Sequence, residues 1–285
     1  MSLAMPSLSP ARRRRVLPGF GLTMGVTLTY LGIVVLIPVA ALVVKGAGIG
    51  PARFWDILTA PRTLAALRLT LTAAAIATVI NALYGLLMAW VLVRYQFPGK
   101  RVLDALMDIP FALPTAVAGL ALSALFAGNG WYGAILEPLG IQVVYTLAGV
   151  VIAMTFTSLP FVVRTVQPVL EDLDPQIEEA ARTLGAEPFT IFRRVVLPVI
   201  FPAYLTGITL SFARSLGEFG AVIFIAGNLP MKTEIASLLA VIRLEEYDYN
   251  GAAAIALVLL VIALALLAVS NLLQSRALRY KADAA

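Results

Sequence analysis

Cysteine and histidine are both absent from this chain. Without cysteine there is no disulfide framework, no thiol nucleophile and no thiolate metal site. Without histidine the commonest general base and metal ligand is missing. No catalytic residue and no metal site are expected. Charge is scarce too: 13% of residues are Asp, Glu, Lys or Arg, against about a quarter in a soluble domain. A P-loop is also lacking. Lys45, Lys100, Lys232 and Lys281 are the only lysines, and none stands in Gly-x-x-x-x-Gly-Lys-Ser/Thr. Gly99-Lys100-Arg101 comes nearest. The chain therefore has no usual means of hydrolysing ATP by itself. An intramembrane enzyme would need two carboxylates, and Asp108 with Glu218 is the only pair on offer.

What fills the 285 residues is apolar: 60% are hydrophobic and the mean hydropathy is +0.92. This composition is that of an integral membrane protein. The net charge of +5 does not point to nucleic acid, because the basic residues sit at the ends of apolar runs, where they orient a chain in a bilayer. A membrane helix needs about 20 apolar residues. Six runs qualify, at about 22–44, 67–93, 105–127, 145–166, 199–226 and 250–273. The expectation is an all-α polytopic membrane protein with six transmembrane helices. Pro110, Pro114 and Pro160 predict kinks in the third and fourth. No internal repeat and no second domain are visible.

Met1 to Pro10 is rich in Ser and Pro and reads as disordered. Arg12 to Arg15 then precede the first run. A signal peptide fits poorly, since that run is too long for an h-region and no cleavage site follows. The cluster reads instead as an inside anchor. Arg94, Lys100, Arg101, Arg164, Arg182, Arg193, Arg194, Arg276, Arg279 and Lys281 fall on the same side. Lys45, Arg53, Arg62, Arg68, Lys232 and Arg243 fall on the other. That bias places both termini in the cytoplasm.

The longest polar interval, Glu178 to Pro198, then also lies inside. Glu178, Glu179, Arg182, Glu187, Arg193 and Arg194 put it in water. Ala180, Ala181, Leu184, Phe189, Ile191 and Phe192 give it an apolar side. Gly185 is a helix stop, Pro188 suits a first helical turn, and Pro198 is expected to end the second helix. The reading is two short helices at an angle.

The interval resembles the signature loop of the permease subunits of bacterial ABC importers: Glu-Ala-Ala, three residues, Gly, nine residues, Ile, one residue, Leu-Pro. Glu179-Ala180-Ala181, Gly185 and Leu197-Pro198 match at the right spacings, with Val195 in place of Ile. Beyond the loop, the chain is similar from about Arg14 to Ala277 to the permease subunits of sulfate/thiosulfate importers. The stretches that carry this include Gly85 to Trp90, Arg94 to Gly99, Leu103 to Gly119, Pro160 to Pro168 and Arg214 to Asn228. The last is shared in part with molybdate permeases. The resemblance implies the type I ABC importer permease fold in a bacterial inner membrane. It implies a cytoplasmic basic tail over 1–20, a transmembrane permease domain over 21–275 with the coupling loop at about 171–198, and a tail over 276–285. It also implies partners: a second homologous permease subunit, two ATPase subunits that use ATP and Mg, and a periplasmic sulfate-binding protein. Membrane lipid surrounds the chain; no cofactor is bound by it. Glu178, Glu179, Ala180, Ala181, Gly185, Leu197 and Pro198 become the ATPase-coupling residues. The alternatives are a molybdate or tungstate permease, or a stand-alone anion carrier.

Arg214 and Glu218 lie four apart in the fifth run, on one helix face. With Ser215 they are the candidate translocation path, Arg214 supplying positive potential for an anion. The plainer reading is an ion pair that neutralises both charges. Gly207, Ser215, Gly217 and Gly220 permit close helix approach. Asp108 is expected to pair with Lys100 or Arg101 at the inner boundary. Thr155, Thr157 and Ser158 are read as helix-packing hydroxyls, or as contacts for a passing oxyanion.

Overall fold

A computed structural model of the chain describes residues 20–283, with side chains described to 273. The basic cluster at Arg12 to Arg15 and the side chains of Arg276, Arg279 and Lys281 lie outside the described residues.

All regular structure among the described residues is helical. In chain order we label α1 Phe20–Ala47, α2 Pro51–Thr59, α3 Pro61–Arg94, α4 Lys100–Met107, α5 Ile109–Ala112, α6 Thr115–Phe126, α7 Leu147–Glu171, α8 Pro175–Thr183, α9 Pro188–Leu216, α10 Gly220–Ala226, α11 Ala236–Glu245 and α12 Tyr249–Asp283. Five of these (α1, α3, α7, α9 and α12) are long and apolar enough to cross a membrane. α3 has 34 residues, about 51 Å at 1.5 Å per residue, so it projects beyond a ~30 Å hydrocarbon core.

The third expected span is not one helix. It is divided into α4, α5 and α6. Pro114 holds Leu113 extended and becomes the N-cap of α6. The prolines therefore break the span rather than kink it. Pro160 behaves differently and stays buried inside an unbroken α7. The fifth expected span is also broken, at Gly217–Phe219, between α9 and α10. Pro198 does not end a helix either. α9 runs on through it, and its register widens to a π-helical turn over Phe192–Val196 just before the proline. A wider turn accommodates a residue that has no N–H to give.

α3, α7 and α9 form the central knot. They pack closely because small residues face inward: Ala73, Ala74, Ala77 and Gly85 on α3 are all buried. Gly85 leaves no room, since a Cβ there would lie 2.6 Å from Val162 Cβ. Gly207 meets the same valine from α9, where a Cβ would lie 2.9 Å from Val162 Cα. Close backbone approach is how helices associate in lipid, where burial of apolar surface gives no drive. The half-helices α6 and α10 pack on each other and α10 on α7; a Cβ on Gly220 would strike Thr115 Oγ1. Gly217 sits at no such approach, and ends α9 instead. α11 lies against α3 and α12. α1 is the outlier: none of its apolar window is buried.

Candidate functional sites: the polar loop and the paired arginines

The loop after α7 begins with Asp174, whose carboxylate accepts the Gln176 N–H at 2.9 Å and caps α8. α8 closes on Gly185, at φ +82. There the Gly185 N–H reaches Arg182 O at 2.9 Å and the Ala186 N–H reaches Ala181 O at 3.1 Å. That is a complete Schellman ending, which needs a left-handed residue at this position. The chain then turns into α9 at Pro188.

This geometry sorts the loop residues by direction. Glu178 is buried, contrary to the sequence reading that put it in water. Its Oε1 lies 2.5 Å from Arg94 Nη2 at the end of α3. The Arg94 guanidinium also lies 5.8 Å from the Trp90 ring centroid, and Trp90 packs edge-on against Phe192 at 5.4 Å. Ile191 and Val196 are buried in the same cluster, with Ala181, Ala186, Phe192 and Leu197 against it. Glu179, Ala180, Gly185 and Pro198 are exposed. So are Leu184, at 88%, and Phe189, at 70%. The apolar residues expected on one side thus divide: Ala181, Ile191 and Phe192 anchor the loop, while Leu184 and Phe189 stand outward. Arg182, Glu187, Arg193 and Arg194 are exposed around them.

Arg214 and Glu218 meet as the i, i+4 spacing requires. Arg214 Nη1 lies 2.7 Å from Glu218 Oε2. The other carboxylate oxygen, Oε1, accepts the Ala221 N–H at 2.9 Å in the first turn of α10. Glu218 is therefore both counter-ion and helix cap at the break. Ser215 does not share this face. It is fully buried, and its single hydroxyl proton lies within reach of two acceptors, Ser158 Oγ at 3.0 Å and Ser211 O at 2.9 Å.

That buried network centres on Asn81, which the sequence reading missed. Its two amide hydrogens are shared among three acceptors, Ser158 Oγ at 2.7 Å, Ser211 Oγ at 3.1 Å and Thr155 O at 3.2 Å. An amide inside the apolar run from Val79 to Leu83 was the available signal, because a polar side chain mid-span turns inward to partners. Of the three hydroxyls singled out, Ser158 joins helices, and Thr157 donates to Met154 O in its own helix.

Asp108 does not pair with Lys100 or Arg101. Arg164 takes it instead, Nε to Oδ1 at 2.8 Å and Nη2 to Oδ2 at 2.7 Å. The same guanidinium reaches Asp104 Oδ1 at 2.6 Å through Nη1. Both members of the carboxylate pair, Asp108 and Glu218, are thus engaged by arginines. Another ion pair unread in the sequence joins Arg62 to Glu234, across 172 positions. No group of three or more His, Cys, Asp or Glu among the described residues could hold a metal.

Comparison with known proteins adds the family. Residues 81–279 match the family of binding-protein-dependent transport system inner membrane components. The chain is 56% identical over 263 residues to the sulfate transport system permease protein CysT of Salmonella typhimurium, covering 92% of this chain and 95% of that one. It is 48% identical over 258 residues to the protein of that name from Synechocystis, 90% of each being covered. Among solved structures, a chain of a bacterial alginate ABC transporter superposes with a TM-score of 0.75 at 17% identity, over 90% of this chain and 94% of that one. A chain of the inward-facing MetNI methionine ABC transporter gives 0.52 at 17%, over 84% and 98%. At such low identity these two speak to the fold alone.

Proposed function

The chain belongs to the family of binding-protein-dependent transport inner-membrane components, the permease subunits of ABC transporters, and from that premise we propose that it carries sulfate or thiosulfate inward. Members of this family are permeases rather than enzymes, so ATP hydrolysis belongs to a separate subunit. The observation that carries the reading is the exposed pair Leu184 and Phe189 on a loop rooted by Glu178 and Arg94. A large apolar pair raised above a rigid base is suited to a groove in a partner. The ATPase is that partner. Glu179, Ala180, Gly185 and Pro198 share the exposed surface; Glu178, Ala181 and Leu197 hold it in place.

The complete assembly contains a second homologous permease, two ATPase subunits using ATP and Mg, and a periplasmic sulfate-binding protein. Both termini face the cytoplasm, with tails over 1–20 and 276–285 flanking the permease domain. ATP binding draws the ATPases together, and the loop transmits that motion through Arg94 to α3 and through its continuous helix to α9. The nucleotide shifts the permease between inward-facing and outward-facing states only through its different affinity for the two. Arg214 lines the path, its charge tempered by Glu218.

The identity of the curated relatives favours sulfate over molybdate. ATP-dependent uptake of labelled sulfate by the reconstituted assembly tests this. Competition by thiosulfate, with little by molybdate, is expected; preferential uptake of molybdate would overturn the substrate assignment.

A further inference from the structure

Two arginines share one setting. Arg214 is held by Glu218, and Arg62, at the second position of α3, by Glu234. In each pair the carboxylate side chain is 1% exposed, while the arginine side chain is about one third exposed. Arg62 donates through Nε to Glu234 Oε2 at 2.8 Å and through Nη2 to Oε1 at 2.6 Å. A guanidinium has five N–H donors. The Nη1 edge of Arg62 has no partner among the described residues.

The pairs are also joined. Three residues after Glu234, Ser237 Oγ donates to the Glu218 carbonyl at 2.7 Å. Between them the Ala236 N–H is held by Thr70 Oγ1 at 2.8 Å. The segment 234–237 thus fixes both pairs to each other and to α3, at a level about 13 Å along that helix from Pro61. A cation near the centre of a spanning helix is costly toward lipid, by about 2.5–3.5 kcal/mol on insertion scales, whereas Arg62 stands in the first turn of the 34-residue α3, at its outer end. Each arginine side chain keeps an exposed part beside its buried carboxylate.

We propose that Arg62 is a second contact for the transported oxyanion, outward of Arg214. The anion binds the free Nη1 edge while Glu234 keeps the opposite edge. This rests on the path reading given above. The planar fork suits a tetrahedral oxyanion, since neighbouring N–H groups can reach two of its oxygens. The buried carboxylates have a purpose in this scheme. A bare arginine would hold a doubly charged anion firmly, whereas a conducting site must also release it. Two tempered arginines tied by one short segment supply two such stations.

The test uses the whole assembly in liposomes, with its binding protein and labelled sulfate. Arg62→Gln and the double variant Arg62→Gln/Glu234→Gln are compared with wild type. The quantity read is sulfate taken up per ATP hydrolysed, which does not depend on how much assembly folds. The double variant keeps an amide pair where the ion pair stood, so a mere clamp between α3 and the segment that leads into α11 would survive in it. The expected result is a fall of about tenfold or more in both variants, the loss of a charge-assisted contact. A wild-type ratio in the double variant would overturn the proposal. Wild-type assemblies that take up no sulfate would instead overturn the substrate reading, which keeps the two failures apart.

Discussion

Arg94 closes on Glu178 at 2.5 Å, tying the end of α3 to the inner side of α8. One acidic residue of the neighbouring pair is therefore a root and the next, Glu179, is free. Glu178→Ala should leave a mostly buried guanidinium without its counter-ion, at a cost of about 3 kcal/mol. Glu179→Ala should stay within about 0.5 kcal/mol of wild type, as surface changes do. Thermal unfolding of the purified chain without its partner subunits separates the two. Equal losses would argue against the division of roles.

Gly185 is required for its backbone rather than for its size, because a Cβ there meets nothing within 4 Å. The left-handed conformation costs a β-carbon residue about 1–2 kcal/mol, and Asn tolerates it best. Gly185→Asn should keep most of the binding-protein-stimulated ATP hydrolysis. Gly185→Pro should remain in the membrane and lose that stimulation, because proline cannot adopt a positive φ. ATPase assays on matched assemblies decide this, and normal stimulation in the proline variant would contradict the docking role.

Gly207 is the opposite case. There a Cβ would press on the Val162 backbone, and overpacking typically costs about 1–3 kcal/mol. Gly207→Ala should lower the unfolding temperature, whereas Gly25→Ala, with open space around it, should not. A shift of the same size in both would mean that α7 and α9 are not in tight contact.

Asn81 predicts a smaller effect. Asn81→Leu removes the amide that Ser158 Oγ, Ser211 Oγ and Thr155 O share; Ser158 Oγ keeps Met154 O, while Ser211 Oγ keeps no other partner among the described residues. A loss of about 1–3 kcal/mol follows, read by unfolding of the assembly, with no change in sulfate affinity. A change in affinity alone would move this network onto the path.

The fold class was legible because long apolar runs have few solutions other than helices in lipid. The loop was legible because Gly185 and Pro188 carry local backbone meaning. Continuity was not. Pro114 broke a span, Pro160 did not, and Pro198 was absorbed by a widened turn, although each looks alike in sequence. What differs is whether neighbouring turns and helices can accommodate the lost N–H. Pairing was also hidden. Asp108 chose Arg164 over the nearby Lys100 and Arg101, and Arg62 found Glu234 far along the chain, because tertiary packing brings these partners together. Ser215 shows a related limit. Adjacent to Arg214, it points about 100° away around the helix, into the Asn81 network.

The central claim is that a separate ATPase drives this chain through Leu184 and Phe189. The most direct measurement is labelled sulfate uptake into liposomes bearing the full assembly, with wild-type chain or Leu184→Asp/Phe189→Asp. The account predicts uptake that requires ATP and all subunits, and its loss in the double variant with α3, α7 and α9 still folded. Sulfate uptake at the full rate by this chain alone, without nucleotide, would contradict it.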